Sequence, residues 1–117
     1  ENIAKGNFSF AEWEYIEEEL KRLLNQLKEE NDLQNLDRET FIKRLSYYMA
    51  ELNVLHPFRE GNGRTIREFI RQLAYKNGYI LNLKHIQPKE MLNACIRSVI
   101  DTTQLENIIA ECLENER

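Results

Sequence analysis

Within twelve residues, His56-Pro57-Phe58-Arg59-Glu60-Gly61-Asn62-Gly63-Arg64-Thr65-Ile66-Arg67, the chain gathers one imidazole, one carboxylate, two glycines and three guanidinium groups. Gly61 and Gly63 allow a sharp turn that brings backbone N–H groups against an anion, and a helix beginning just after them adds its positive end. This is equipment for binding phosphate. His56 supplies a proton acceptor before the turn, and Glu60 a metal ligand beside the phosphate. Arg64 and Arg67, three residues apart on the following helix, share a face and can close on phosphate oxygens. Phe58 is an apolar anchor for the loop, with stacking on an adenine ring as the other reading. Arg59 and Arg71 read as rim charges, and His85, which has no such company, as a surface residue.

A loop of this kind needs rigid elements on both sides. Asp37 is an N-cap for a helix carrying Phe41, Leu45, Tyr48, Leu52 and Leu55 on one stripe, and Pro57 disfavours helical geometry at His56, so that helix ends where the loop begins. On the far side, Thr65 to Lys76 reads as a helix with Ile66, Phe69, Ile70, Leu73 and Ala74 inward, closed by Asn77-Gly78 as a left-handed cap. Upstream, Ser9 with Glu12 forms a capping box, and Phe8 with Trp13 a hydrophobic staple, for a first helix from about Phe10 or Glu12. Its apolar stripe is Trp13, Ile16, Leu20, Leu23, Leu24 and Leu27. Downstream, Tyr79 to Leu83 is an apolar connector, and Pro88 opens a fourth helix with Met91, Leu92, Cys95, Ile96 and Val99 as its apolar set. Thr103 with Glu106 caps a last helix that turns Leu105, Ile108, Ile109, Cys112 and Leu113 inward.

The 117 residues fit a single domain spanning 1–117, and 42% apolar with 31% charged residues describes a globular chain. Four glycines and two prolines leave room for long helices, so the fold class is all-α, a compact bundle of about five helices. A net charge of −4 excludes a broad nucleic-acid or anionic-membrane surface while permitting a focused arginine cluster. The sequence contains no apolar run of the roughly 20 residues that span a bilayer. Cys95 and Cys112 fall in helix-like apolar patterns and read as buried thiols of a reducing compartment rather than as a disulfide.

The stretch His56 to Arg67 resembles the Fic motif, H-x-F-x-(D/E)-G-N-G-R-x-x-R, at every defined position. Ile3-x-Lys5-Gly6-Asn7-x-x-Phe10 is similar to the end of that family's target-binding flap, and the flanking helices are similar to the Fic core. The family's upstream helical segment and first flap strand have no counterpart here, which gives a core fragment or a trimmed member. The resemblance implies a protein adenylyltransferase that moves AMP from ATP to a Ser, Thr or Tyr hydroxyl of a target protein and releases pyrophosphate. It implies His56 as general base and Glu60 as the ligand of Mg²⁺. Gly61, Asn62 and Gly63 become the anion cradle, and Arg64 and Arg67 bind the β- and γ-phosphates. Relatives that phosphorylate carry Lys where this chain has Gly63, so Gly63 favours AMP transfer. The competing readings are a catalytically silent module that binds nucleotide or a partner through the same cradle, transfer of another nucleotide-derived group, and removal of AMP.

The flap resemblance implies that Ile3, Lys5, Gly6 and Asn7 dock an extended target segment by strand addition; a terminus without a role is the other reading. Many Fic proteins are held inactive by the glutamate of an (S/T)-x-x-x-E-(G/N) motif that pairs with the second motif arginine, here Arg67. Thr102-x-x-x-Glu106-Asn107 matches it, which sets self-inhibition by Glu106 against its reading as part of a capping box. An inhibitory helix in an antitoxin-like partner is the further alternative. The implied setting is the bacterial cytoplasm, or a host cytosol reached by secretion.

Overall fold

The computed structural model describes residues 10–55 and 62–115, with side chains from Glu14 onward in the first of these segments and from Gly63 onward in the second. Five helices follow one another: α1 (Phe10–Glu29), α2 (Arg38–Leu55), α3 (Asn62–Lys76), α4 (Pro88–Arg97) and α5 (Thr103–Cys112). A short two-stranded ribbon joins them, formed by β1 (Tyr79–Leu81) and β2 (Leu113–Asn115). The strands are antiparallel, with Tyr79 opposite Asn115, Ile80 opposite Glu114 and Leu81 opposite Leu113. The expected all-α architecture holds, and the connector after α3 turns out to be the first strand of this ribbon. No short-range signal announces that pairing, because its partner lies more than thirty residues away.

α2 runs through the centre. Phe41, Leu45, Tyr48 and Leu52 are buried as their spacing predicts, with Leu55 half-buried. Asp37 caps the helix as expected, its Oδ2 accepting from the Thr40 N–H at 3.1 Å and its Oδ1 from the Thr40 hydroxyl at 2.7 Å. From α1, Leu23 and Leu27 reach the same core, whereas Leu24 stands 37% exposed at the edge of the stripe. The proposed box and staple at its start rest on Phe8, Ser9, Glu12 and Trp13, which lie outside the described residues or side chains.

Between α1 and α2 the chain makes a 3-10 turn over Asn31–Leu33 with φ of 59°, 54° and 64°, and Asn35 follows at 65°. Consecutive left-handed residues are costly for side chains with a Cβ. Burial of Leu33 offsets the cost, as do two ties to the end of α3: Lys76 Nζ pairs with Asp32 Oδ2 at 2.8 Å, and Asn77 Nδ2 donates to the Asp32 carbonyl at 3.0 Å. α3 ends as its sequence predicts, at Gly78 with φ of 85°.

α4 departs from expectation. Met91 and Ala94 are buried and Cys95 half-buried, but Leu92, Ile96 and Val99 are 59%, 60% and 66% exposed. Two stripes compete on this helix, and the one with small residues wins: Ala94 and Ser98 let the backbone approach its neighbours closely. The start of α5 is also rearranged. Asp101 Oδ1 accepts from the Thr103 N–H at 3.0 Å and from its hydroxyl at 2.7 Å, so Thr103 does not form a box with Glu106. Arg38, at the start of α2, donates to the carbonyls of Ala110 and Leu113 at 3.1 and 2.9 Å, and Phe41 stacks on Tyr79 with centroids 4.9 Å apart. The end of the described chain is thereby fastened to the central helix.

Candidate functional site

α3 begins at Asn62, three residues earlier than its hydrophobic pattern predicts. Gly63 is therefore a residue of the first helical turn, and its φ is not left-handed. Its service is space. A Cβ built on Gly63 would stand 3.1 Å from Arg67 Nη1, closer than most such contacts, so the guanidinium lies back across the glycine. Side chains of an α-helix lean toward its N-terminus, which is why Arg67 reaches a residue one turn earlier.

The first turn of α3 holds N–H groups without helical acceptors and the positive end of the helix dipole. It carries no acidic residue. Arg64 is exposed, Arg67 half-buried, and neither takes part in an ion pair among the described residues. The neighbouring carboxylate is engaged elsewhere: Glu68 binds Arg71 at 2.6 and 3.0 Å and accepts from Gln72 at 2.8 Å. The Arg71 hydrogen bonds, with that of Gln72, hold the Glu68 carboxyl down at about 2. Two guanidinium groups and a helix N-terminus therefore share one end of α3 with no protein carboxylate neutralising them within the described residues. Such an end attracts a multiply charged anion. Ile66 and Ile70 are buried and fix the helix to the core.

α2 ends at Leu55, next to the proposed base. His56, Phe58, Glu60 and Gly61 lie outside the described residues, as do the flap positions Ile3, Lys5, Gly6 and Asn7. Asn62 is the first residue of α3. Glu106 sits in the first turn of α5, where its Oε2 accepts a hydrogen bond from the Thr102 hydroxyl at 2.8 Å, and no ion pair joins it to Arg67. Cys95 and Cys112 are free thiols, in keeping with the sequence reading.

One pair of residues at this end of the molecule escaped the sequence reading. Asn53, in the last turn of α2, buries its Nδ2 without a hydrogen-bond partner among the described residues. It approaches the thiol of Cys95 on α4. Burial pushes that thiol up, and the Asn53 carboxamide and the Arg67 charge pull it partly back. The only available signal was an asparagine three residues before His56 in an otherwise apolar helix end.

The Fic/DOC family matches residues 1–74. The protein adenylyltransferase VbhT of Bartonella schoenbuchensis is 45% identical over 104 residues, which cover 89% of this chain and 22% of that protein. A probable protein adenylyltransferase Fic of Escherichia coli is 39% identical over 112 residues, covering 94% of this chain and 56% of the relative. This chain thus spans from about a fifth to just over half the length of these relatives. Among solved structures, the Fic domain of a VirB-translocated effector from Bartonella quintana, with bound ADP, superposes with a TM-score of 0.81 at 30% identity, covering 87% of this chain and 49% of that one.

Proposed function

We propose, since this chain belongs to the Fic/DOC family, that it transfers AMP from ATP to a hydroxyl group of a target protein. The observation that carries the proposal is the cationic end of α3, without a neutralising carboxylate among the described residues, where Arg67 folds over Gly63 beside Arg64. A nucleoside triphosphate matches that charge. In the reaction the target hydroxyl loses its proton to His56 and attacks the α-phosphorus; the bond from that phosphorus to the α,β-bridging oxygen breaks, and pyrophosphate leaves. Positioning and electrostatic stabilisation do most of the work in such a transfer, and the Asn62 to Gly63 backbone with Arg64 and Arg67 supplies both.

Among the described residues no three His, Cys, Asp or Glu groups converge as a metal site. Mg²⁺ is held mainly through phosphate oxygens and water, so a single carboxylate, the role assigned to Glu60, would serve. The ion would neutralise charge on the leaving pyrophosphate. Support for a nucleotide substrate also comes from the ADP in the related Bartonella quintana structure and from the names of the relatives. The flap positions Ile3, Lys5, Gly6 and Asn7 are assigned to docking the target.

The test is incubation with Mg²⁺ and ATP labelled at either the α- or the γ-phosphate, beside a His56→Ala control. Protein label from the α-position alone, abolished in the variant, is the expected result. Label from the γ-position alone would overturn AMP transfer in favour of phosphorylation, and ATP binding without label would indicate a silent or inhibited module.

A further inference from the structure

Arg64 and Glu68 are both exposed on α3 and stand four residues apart, the spacing at which opposite charges on a helix meet. Side chains of a helix lean toward its N-terminus, so Glu68 inclines toward Arg64 by default. Its carboxylate is nevertheless taken from the other direction. Arg71 donates from Nε to Oε1 at 3.0 Å and from Nη2 to Oε2 at 2.6 Å, and Gln72 Nε2 donates to Oε2 at 2.8 Å. Both oxygens are thus engaged by residues farther along the helix, and among the described residues no ion pair joins Glu68 to Arg64.

We propose that Arg71 and Gln72 are positioning residues for Arg64: by holding the Glu68 carboxylate they leave the Arg64 guanidinium available to the phosphates of the nucleotide. Three cationic or amide groups compete for one carboxylate on this helix. A guanidinium fork on both oxygens, joined by a carboxamide donor, prevails over a single charge one turn earlier in the less favourable order of cation before anion. Without the fork, the remaining partner of Glu68 at helical spacing is Arg64. A phosphate would then have to displace the carboxylate, whose negative charge would also repel it. Arg71 therefore acts on the site from about 10 Å along the helix axis, through Glu68.

The consequence for binding rests on the nucleotide reading and the positioning itself does not, so the experiment on the full chain has one readout for each. The variant Arg71→Ala with Gln72→Ala places the best helix former at two exposed positions and releases Glu68; a melting curve checks that it folds. Without nucleotide, the Glu68 carboxyl is titrated through its ¹³C resonance. In the released variant its midpoint should rise from about 2 yet stay below the ordinary carboxylate value, and adding Arg64→Gln should bring it up to that value. A midpoint already ordinary in the released variant and unmoved by Arg64→Gln overturns the positioning role. With Mg²⁺ at low ionic strength, the released variant should bind ATP about two- to threefold more weakly, and adding Glu68→Gln should restore the affinity. The same release in an Arg64→Gln background should weaken binding no further. An equal loss with and without Arg64 makes Arg71 a distant surface charge and overturns the proposal. A Glu68 midpoint that depends on Arg64, in a chain that binds no ATP, upholds the positioning and removes the nucleotide reading instead.

Discussion

Gly63 and Arg67 form a single unit, since the glycine provides the surface over which the guanidinium lies. Gly63→Ala separates two effects that usually travel together. Alanine is the better helix former by about 0.5–1 kcal/mol, and the group it crowds is the far end of a flexible side chain, so thermal stability should hold or rise. Nucleotide binding should nevertheless weaken several-fold as Arg67 is displaced, measurable by titration calorimetry beside a melting curve. At this scale the sequence reveals residue types but not their contacts. The motif singles out Gly63 and Arg67, yet glycine there reads as a turn former until the start of α3 at Asn62 puts it inside a helix. Asn53 was illegible because the burial of its Nδ2 arises only once the helices pack together.

Among the elements, α1 and α2 are joined by a compact polar clamp. Glu30 accepts from Arg44 Nε at 2.9 Å and from the Tyr48 hydroxyl at 2.7 Å, with a second Arg44 nitrogen on its other oxygen. The Arg44 guanidinium also lies over the Tyr47 ring, 4.4 Å from its centroid. The Arg44 hydrogen bond lowers the Glu30 carboxyl below its usual range despite partial burial. A carboxyl lowered on folding contributes stability above its unfolded value and loses it as pH falls through the folded one. Glu30→Gln should therefore cost on the order of 1 kcal/mol at pH 7 and narrow the gap between urea midpoints at pH 7 and pH 3. The inhibitory assignment of Glu106 is tested separately. Its carboxylate is bonded to Thr102 one turn away, so Glu106→Gly should leave self-labelling from α-labelled ATP unchanged, and a several-fold rise would instead give Glu106 a regulatory role. Helix existence and type were legible here from periodicity, Asp37 and Gly78, whereas the buried face of α4 was not, because two stripes on it satisfy the same period.

For the whole molecule, one apolar cluster draws on every helix and both strands, and Arg38 fastens the end of α5 to the beginning of α2. Removing its two hydrogen bonds with Arg38→Ala should destabilise the chain by about 1–2 kcal/mol and speed amide exchange across the β1–β2 ribbon. That closure is the part of the fold least visible in sequence, since it depends on residues far apart in the chain. The turn over Asn31–Leu33 has a different bearing, on which substitutions the chain tolerates. Asn31 and Asn35 are exposed, and exposure ordinarily predicts permissiveness, yet both hold a left-handed backbone that a β-branched side chain resists. Asn31→Val should cost about 1–2 kcal/mol by urea denaturation. In a saturation library, these two surface positions would be as restrictive as core ones, admitting mainly Asn, Asp and Gly, although they stand about 20 Å along α3 from the phosphate-binding end.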